Sequence, residues 1–160
     1  MISFKSHSGI YTLCSQQELS ITLEEAWIFF SNPNNLQKIT PKDMDFRITS
    51  NNEQNAYIGQ IITYKIGILP MIKSNWVTEI TQVVDNSHFI DEQRFGPYKM
   101  WHHEHFFEYL PNGNVLMKDK ISYKLPFGFL GKWMHYLFIK NKLKQIFTYR
   151  FDILKNYFNG

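Results

Sequence analysis

Between Met44 and Leu125 the chain reads as strand after strand, and only one long helical pattern is left to cover them. Runs of β-branched and aromatic residues bounded by turn residues predict strands near 44–49, 57–66, 73–84, 88–95, 98–110 and 114–125. Their connections are short, so most are expected to be antiparallel neighbours in a meander. One further strand is expected at 11–21. Two short helices follow it: Thr22 and Glu25 form a capping box for the first, and Asn32 with Pro33 start a second that runs to about Ile39. The tail, Gly131 to Phe158, reads as a helix of about 42 Å at ~1.5 Å per residue. Its apolar stripe is Tyr136, Ile139, Leu143, Ile146, Phe147, Ile153, Leu154 and Tyr157.

An antiparallel sheet must bury one face, and the tail helix is the only element long enough to cover it. The expected architecture is α+β. A curved antiparallel sheet of about seven strands wraps around a long C-terminal helix, with two short helices after the first strand. No repeat, low-complexity segment or linker divides residues 1–160, which read as a single domain. If the sheet curves, one helix does not fill the concavity, and a cavity remains.

Composition narrows the function. The chain has 14 Phe, 9 Tyr and 4 Trp, enough aromatic area for a thick core or the walls of a pocket. A formal charge of +3 is too small for a nucleic-acid-binding face, so no nucleic-acid partner is expected. The single cysteine, Cys14, leaves no intrachain disulfide and reads as a small strand hydrophobe in a reducing compartment. The start, "MISFKSHSGI", lacks a signal peptide's apolar stretch, so a cytoplasmic location is expected. The tail helix carries Lys132, Lys140, Lys142, Lys144, Arg150 and Lys155 against Asp152 alone. This reads as a solvated outer face, and membrane contact is not favoured. Nothing in the pattern sets an oligomeric state.

Three segments carry a family resemblance: "SNPNNLQKITP" (31–41), "FIDEQRFGPYKMWHHEHFF" (89–107) and "DKISYKLPFGFLG" (119–131). They resemble a bacterial ligand-binding branch of the START/Bet v 1-like (SRPBCC) superfamily, related to polyketide cyclase/dehydrase proteins. That branch shows F-x-D-E-Q-x-x-G-P-[FY]-x-x-W-x-H-x-H-x-F followed by D-x-[VI]-x-Y-x-L-P-x-G-x-L-G. The resemblance implies the helix-grip fold and an internal pocket.

Strand alternation sorts the histidines of "MWHHEHFFEYL" (100–110). Trp101, His103, His105 and Phe107 share one face, and His102, Glu104, Phe106 and Glu108 share the other. On the next strand Asp119, Ile121 and Tyr123 face inward, while Lys118, Lys120 and Lys124 face solvent. A three-residue loop, Asn112 to Asn114, would pair Pro111 with Val115. That register sets His102 opposite Lys124, His103 opposite Tyr123 and Phe107 opposite Asp119, with Asp119 diagonal to His105. Phe89, Asp91 and Gln93 are candidates from strand 88–95, though the "FGPY" turn does not fix their register.

His103-x-His105 with Asp119 is a partial metal-ligand set. No further histidine on a later strand completes it, and a buried hydrogen-bonded network is the stronger reading. The sequence therefore predicts no metal and no cofactor. The expected function is binding of a small apolar ligand, lipid-like or aromatic, by a carrier or sensor. Trp76, Phe89, Trp101, Phe107 and Tyr123 would supply wall, and Asp91, Gln93, His103, His105 and Asp119 polar anchors. The alternative is a cofactor-independent cyclase/dehydratase-type enzyme, with His103, His105 and Asp119 as its acid–base groups. At one end of the meander gather three apolar connections, 67–71, 95–98 and 125–131. They form either the mouth of the cavity or a plug that closes the core.

Overall fold

The structure, a computed structural model, describes residues 1–50, 55–69 and 72–158. Eight strands form one curved, unclosed antiparallel sheet. They are β1 (Ile2–His7), β2 (Ile10–Leu19), β3 (Arg47–Ile48), β4 (Ile61–Leu69), β5 (Ile72–Val84), β6 (His88–Phe95), β7 (Met100–Tyr109) and β8 (Val115–Lys124). Their order across the sheet is β1-β2-β8-β7-β6-β5-β4-β3. The chain has one strand more than expected. β1 and β2 form a hairpin through Ser8 and Gly9, whose φ values of 51° and 79° suit a tight turn between right-twisted strands. Register shifts at Val77/Thr78 and Ile80/Gln82 bend β5 against β6 and help curve the sheet.

Between β2 and β3 lie α1 (Leu23–Phe30), a 3-10 helix at Pro33–Ile39 and a short turn at Lys42–Met44. The capping box forms as expected. The Thr22 side chain accepts from Glu25 N, and Glu25 accepts from Thr22 N at 2.9 Å. On α1, Trp27 sits edge-on to Phe89 and Phe107, with ring centres 6.1 Å from each. This knot, with Leu19, Val115 and Leu154, closes one end of the core. A second cluster, Tyr11, Leu13, Ile121, Tyr123, Ile139, Leu143 and Phe147, packs the other end.

The C-terminal helix begins three residues earlier than expected. α2 (Gly128–Met134) passes through a π-turn at His135–Ile139 into α3 (Lys140–Phe158). The π-turn widens one turn of the helix and advances which residues face the sheet. His135 and Ile139 are therefore buried, while Tyr136, expected in the stripe, is exposed. Tyr157 is exposed as well, and Arg150 is buried between Phe147 and Leu154. The expectation that Arg150 belongs to a solvated face is thus corrected: positions 143, 147, 150 and 154 share the inward side. Of the three apolar connections, 67–71 lies partly outside the described residues. Phe127, Phe129 and Leu130 of 125–131 point outward and do not plug the core. No helix among the described residues is long and apolar enough to cross a membrane.

Candidate functional site

The β7–β8 register differs from expectation by two residues. Leu110 N donates to Asn114 O and Gly113 N to Leu110 O, so the turn spans Leu110 to Asn114 and Tyr109 pairs with Val115. Asn112 and Asn114 anchor it by donating to Glu18 of β2, at 2.8 and 2.7 Å. A shift of two keeps every side chain on its face. It does change neighbours: His105 lies directly opposite Asp119, His103 opposite Ile121, Trp101 opposite Tyr123 and Phe107 opposite Met117. The outward His102 stands opposite Ser122 and bonds Glu92 at 2.9 Å, so Lys124 is not its partner.

On the inner face β6 supplies a second carboxylate. Asp91 pairs with His103 in register, and the two carboxylates bracket the two imidazoles. Asp119 Oδ1 lies 3.0 Å from His103 Nε2 and 3.0 Å from His105 Nδ1. Asp91 Oδ2 lies 2.8 Å from His105 Nε2 and 3.5 Å from His103 Nδ1. The rings themselves are tilted by 39° to one another with centres 3.7 Å apart. Behind them Arg150 Nη1 of α3 reaches Asp119 Oδ1 at 3.4 Å. Asp119 is 1% exposed, which makes this a buried ionic network.

The protons in this network follow from its charges. Burial works to raise both carboxyl groups, but their partners outweigh it. Arg150 and the two imidazoles hold Asp119 well below the ordinary range, and His105 and His103 hold Asp91 below it. Burial lowers His103, and the neighbouring His105 adds to that. In His105 burial is overcome by hydrogen bonds to Asp119 and Asp91, so its pKa is raised. Of the two rings, His105 is therefore the one whose charged form the carboxylates favour. His103 donates to Asp119 and leaves Nδ1 on the long 3.5 Å contact.

The network forms part of the wall of a cavity of about 190 Å³ between sheet and helix. A single buried water needs only ~10–15 Å³. Of the residues expected at the site, Trp76, Phe89, Asp91, Trp101, His103 and His105 line it. Four do not. Asp119 sits behind the imidazoles. Phe107 belongs to the core knot under α1, and Tyr123 to the second cluster, where its hydroxyl meets His135 Nδ1 at 3.3 Å. Gln93 seals the β6–β7 turn, donating to Tyr98 O at 2.7 Å and accepting from Tyr98 N at 3.2 Å.

Several lining residues were missed by the sequence reading: Arg150, Tyr64, Tyr98, Phe147 and Ser31. Arg150 carried a usable signal, since its spacing from Leu143, Phe147 and Leu154 is that of the apolar stripe. Two of the wall's buried N–H donors, Trp76 Nε1 and Arg150 Nε, have no partner among the described residues, nor does the Ser31 hydroxyl.

No family model matches the chain, and no curated protein sequence does. Solved structures do match in fold. A protein from Arthrobacter aurescens is 11% identical with a TM-score of 0.68, covering 96% of this chain and 91% of that one. The ginseng major latex-like protein 151 from Panax ginseng is 11% identical with a TM-score of 0.67, covering 94% and 99%. A START superfamily protein from Mycobacterium smegmatis is 8% identical with a TM-score of 0.62, covering 91% and 98%. With its curved antiparallel sheet and long C-terminal helix, this chain shares the helix-grip fold with these structures.

Proposed function

We propose that the chain binds a small apolar molecule bearing a hydrogen-bond acceptor, held in the cavity between sheet and C-terminal helix, as a carrier or sensor. The observation that carries this reading is the mismatch on the cavity wall. The wall is mostly apolar and aromatic, yet Trp76 Nε1 and Arg150 Nε are buried on it with no acceptor among the described residues. Buried donors are nearly always paired, and leaving one free costs ~1–3 kcal/mol. A carbonyl, carboxylate or similar oxygen on a bound molecule would relieve that cost, and the apolar wall would take the rest of the molecule. A cavity of about 190 Å³ suits a compact ligand better than a long-chain lipid.

Native mass spectrometry of the purified full chain tests the reading. A retained small molecule, or one-to-one uptake of 8-anilinonaphthalene-1-sulfonate, is the expected result. Trp76→Phe removes the indole donor while keeping an aromatic ring on the wall and should weaken that uptake about five- to tenfold. A bare chain that takes up no such probe would contradict the proposal.

A further inference from the structure

We propose that Asp91, His103 and His105 form a binding site for one divalent first-row transition ion, with Asp119 as the outer carboxylate that aims both imidazoles. The inference does not depend on the identity of the apolar ligand or on its binding.

Three inward atoms converge on the cavity: Asp91 Oδ2, His103 Nδ1 and His105 Nε2. Such ligand atoms from the three residues all lie within 4.8 Å of one another. Asp91 Oδ2 is 2.8 Å from His105 Nε2 and 3.5 Å from His103 Nδ1. Donors that share an ion at ~2.0–2.2 Å sit about 3.0–3.5 Å apart, so the residues need only small shifts to accept one.

The opposite nitrogen of each ring carries the stronger argument. A metal-binding histidine usually donates its other N–H to a carboxylate, which fixes its tautomer and orientation. Here a single oxygen, Asp119 Oδ1, faces both of these nitrogens, His103 Nε2 and His105 Nδ1, at 3.0 Å each. Each ring therefore turns its remaining nitrogen toward Asp91. Asp119 is itself held by Arg150 from α3 and lies off the cavity wall, whereas all three inner residues line it. The chain thus has both layers of a metal site in the right order.

Charge points the same way. Two carboxylates and one guanidinium leave one net negative charge on the wall, which a cation compensates. Two imidazoles and one carboxylate select a transition ion over magnesium or calcium, and three protein ligands leave coordination positions open to the cavity. The sequence pattern took Asp119 as the third ligand and favoured a network without metal because no further histidine on a later strand completed the set. The fold puts Asp91 in that role and Asp119 behind the rings.

The test is titration calorimetry of the full chain with Zn²⁺ alone, after chelator treatment and dialysis. The expected result is saturable uptake of one ion per chain. Asp91→Asn and His105→Gln each abolish it, Asp119→Asn weakens it about 10- to 100-fold, and His102→Gln on the outer face leaves it unchanged. Should an inner variant fail to fold, ring ¹⁵N NMR of the wild-type chain decides instead: Zn²⁺ shifts His103 and His105 and spares His102. Absence of stoichiometric uptake by the folded wild-type chain overturns the site. So does uptake that depends on His102 and survives Asp91→Asn.

Discussion

The two faces of β7 are built from nearly the same residue types and obey different physics. Outside, His102 bonds Glu92 at 2.9 Å, and Glu108 pairs with Lys118 at 2.6 Å, with side chains up to 51% exposed. Inside, His103 and His105 sit between Asp91 and Asp119 with at most 15% of any of these side chains exposed. Water screens the outer pairs, so their geometry is dispensable. The inner groups have lost most of their water and depend on one another for compensation. A chain seeking stability alone would do as well with apolar residues there, which is why the inner face reads as a site.

The contrast is sharpest under removal of one inner partner. Asp119→Ala leaves Arg150 and both imidazoles without their shared acceptor and should cost about 3–5 kcal/mol in urea unfolding. A cost under about 1 kcal/mol would mean that the inner face is as wet as the outer one.

A second buried histidine gives an intermediate effect and a defined pH window. His135 stacks on Tyr11 of β2 with ring centres 3.6 Å apart, and its Nδ1 meets the Tyr123 hydroxyl of β8. Tyr136 and Lys140 flank it on its own helix. Burial, helped by Lys140, pushes its pKa down to about 4. The unfolded chain therefore binds the proton more readily. The contribution of neutral His135 is fully present above pH ~6.5 and is lost as pH falls toward about 4. Melting temperatures across that window should fall more steeply for the wild-type chain than for His135→Gln. Equal slopes would show that His135 titrates as if in water. Smallest of all, Glu108→Ala on the outer face should shift stability by less than about 1 kcal/mol.

Much of this contrast was legible in the sequence because strand alternation has a period of two. The inward and outward sets on β7 survive the two-residue difference in register, which only an odd shift would have scrambled. The register itself was not legible. It depends on a turn from Leu110 to Asn114 anchored on Glu18 of β2, a strand remote in sequence. Asp91 could be placed opposite His103 only once the Gln93–Tyr98 bonds had closed the preceding turn. Gly96 permits that closure, because a Cβ there would stand 2.5 Å from Gln93 Oε1. β1 was overlooked despite a Ser8-Gly9 turn signal between two alternating runs. Arg150 was misread because charge was counted around the helix without regard to its position on the apolar stripe.

If the inner face holds a ligand, the wall donors that lack a partner among the described residues report on it directly. In ¹H–¹⁵N NMR of the full chain, 8-anilinonaphthalene-1-sulfonate should shift the Trp76 indole and Arg150 Nε–H signals and leave the indole of Trp133, which is 67% exposed, in place. Movement of Trp133 with Trp76 and Arg150 unchanged would put the binding on the surface and contradict the account.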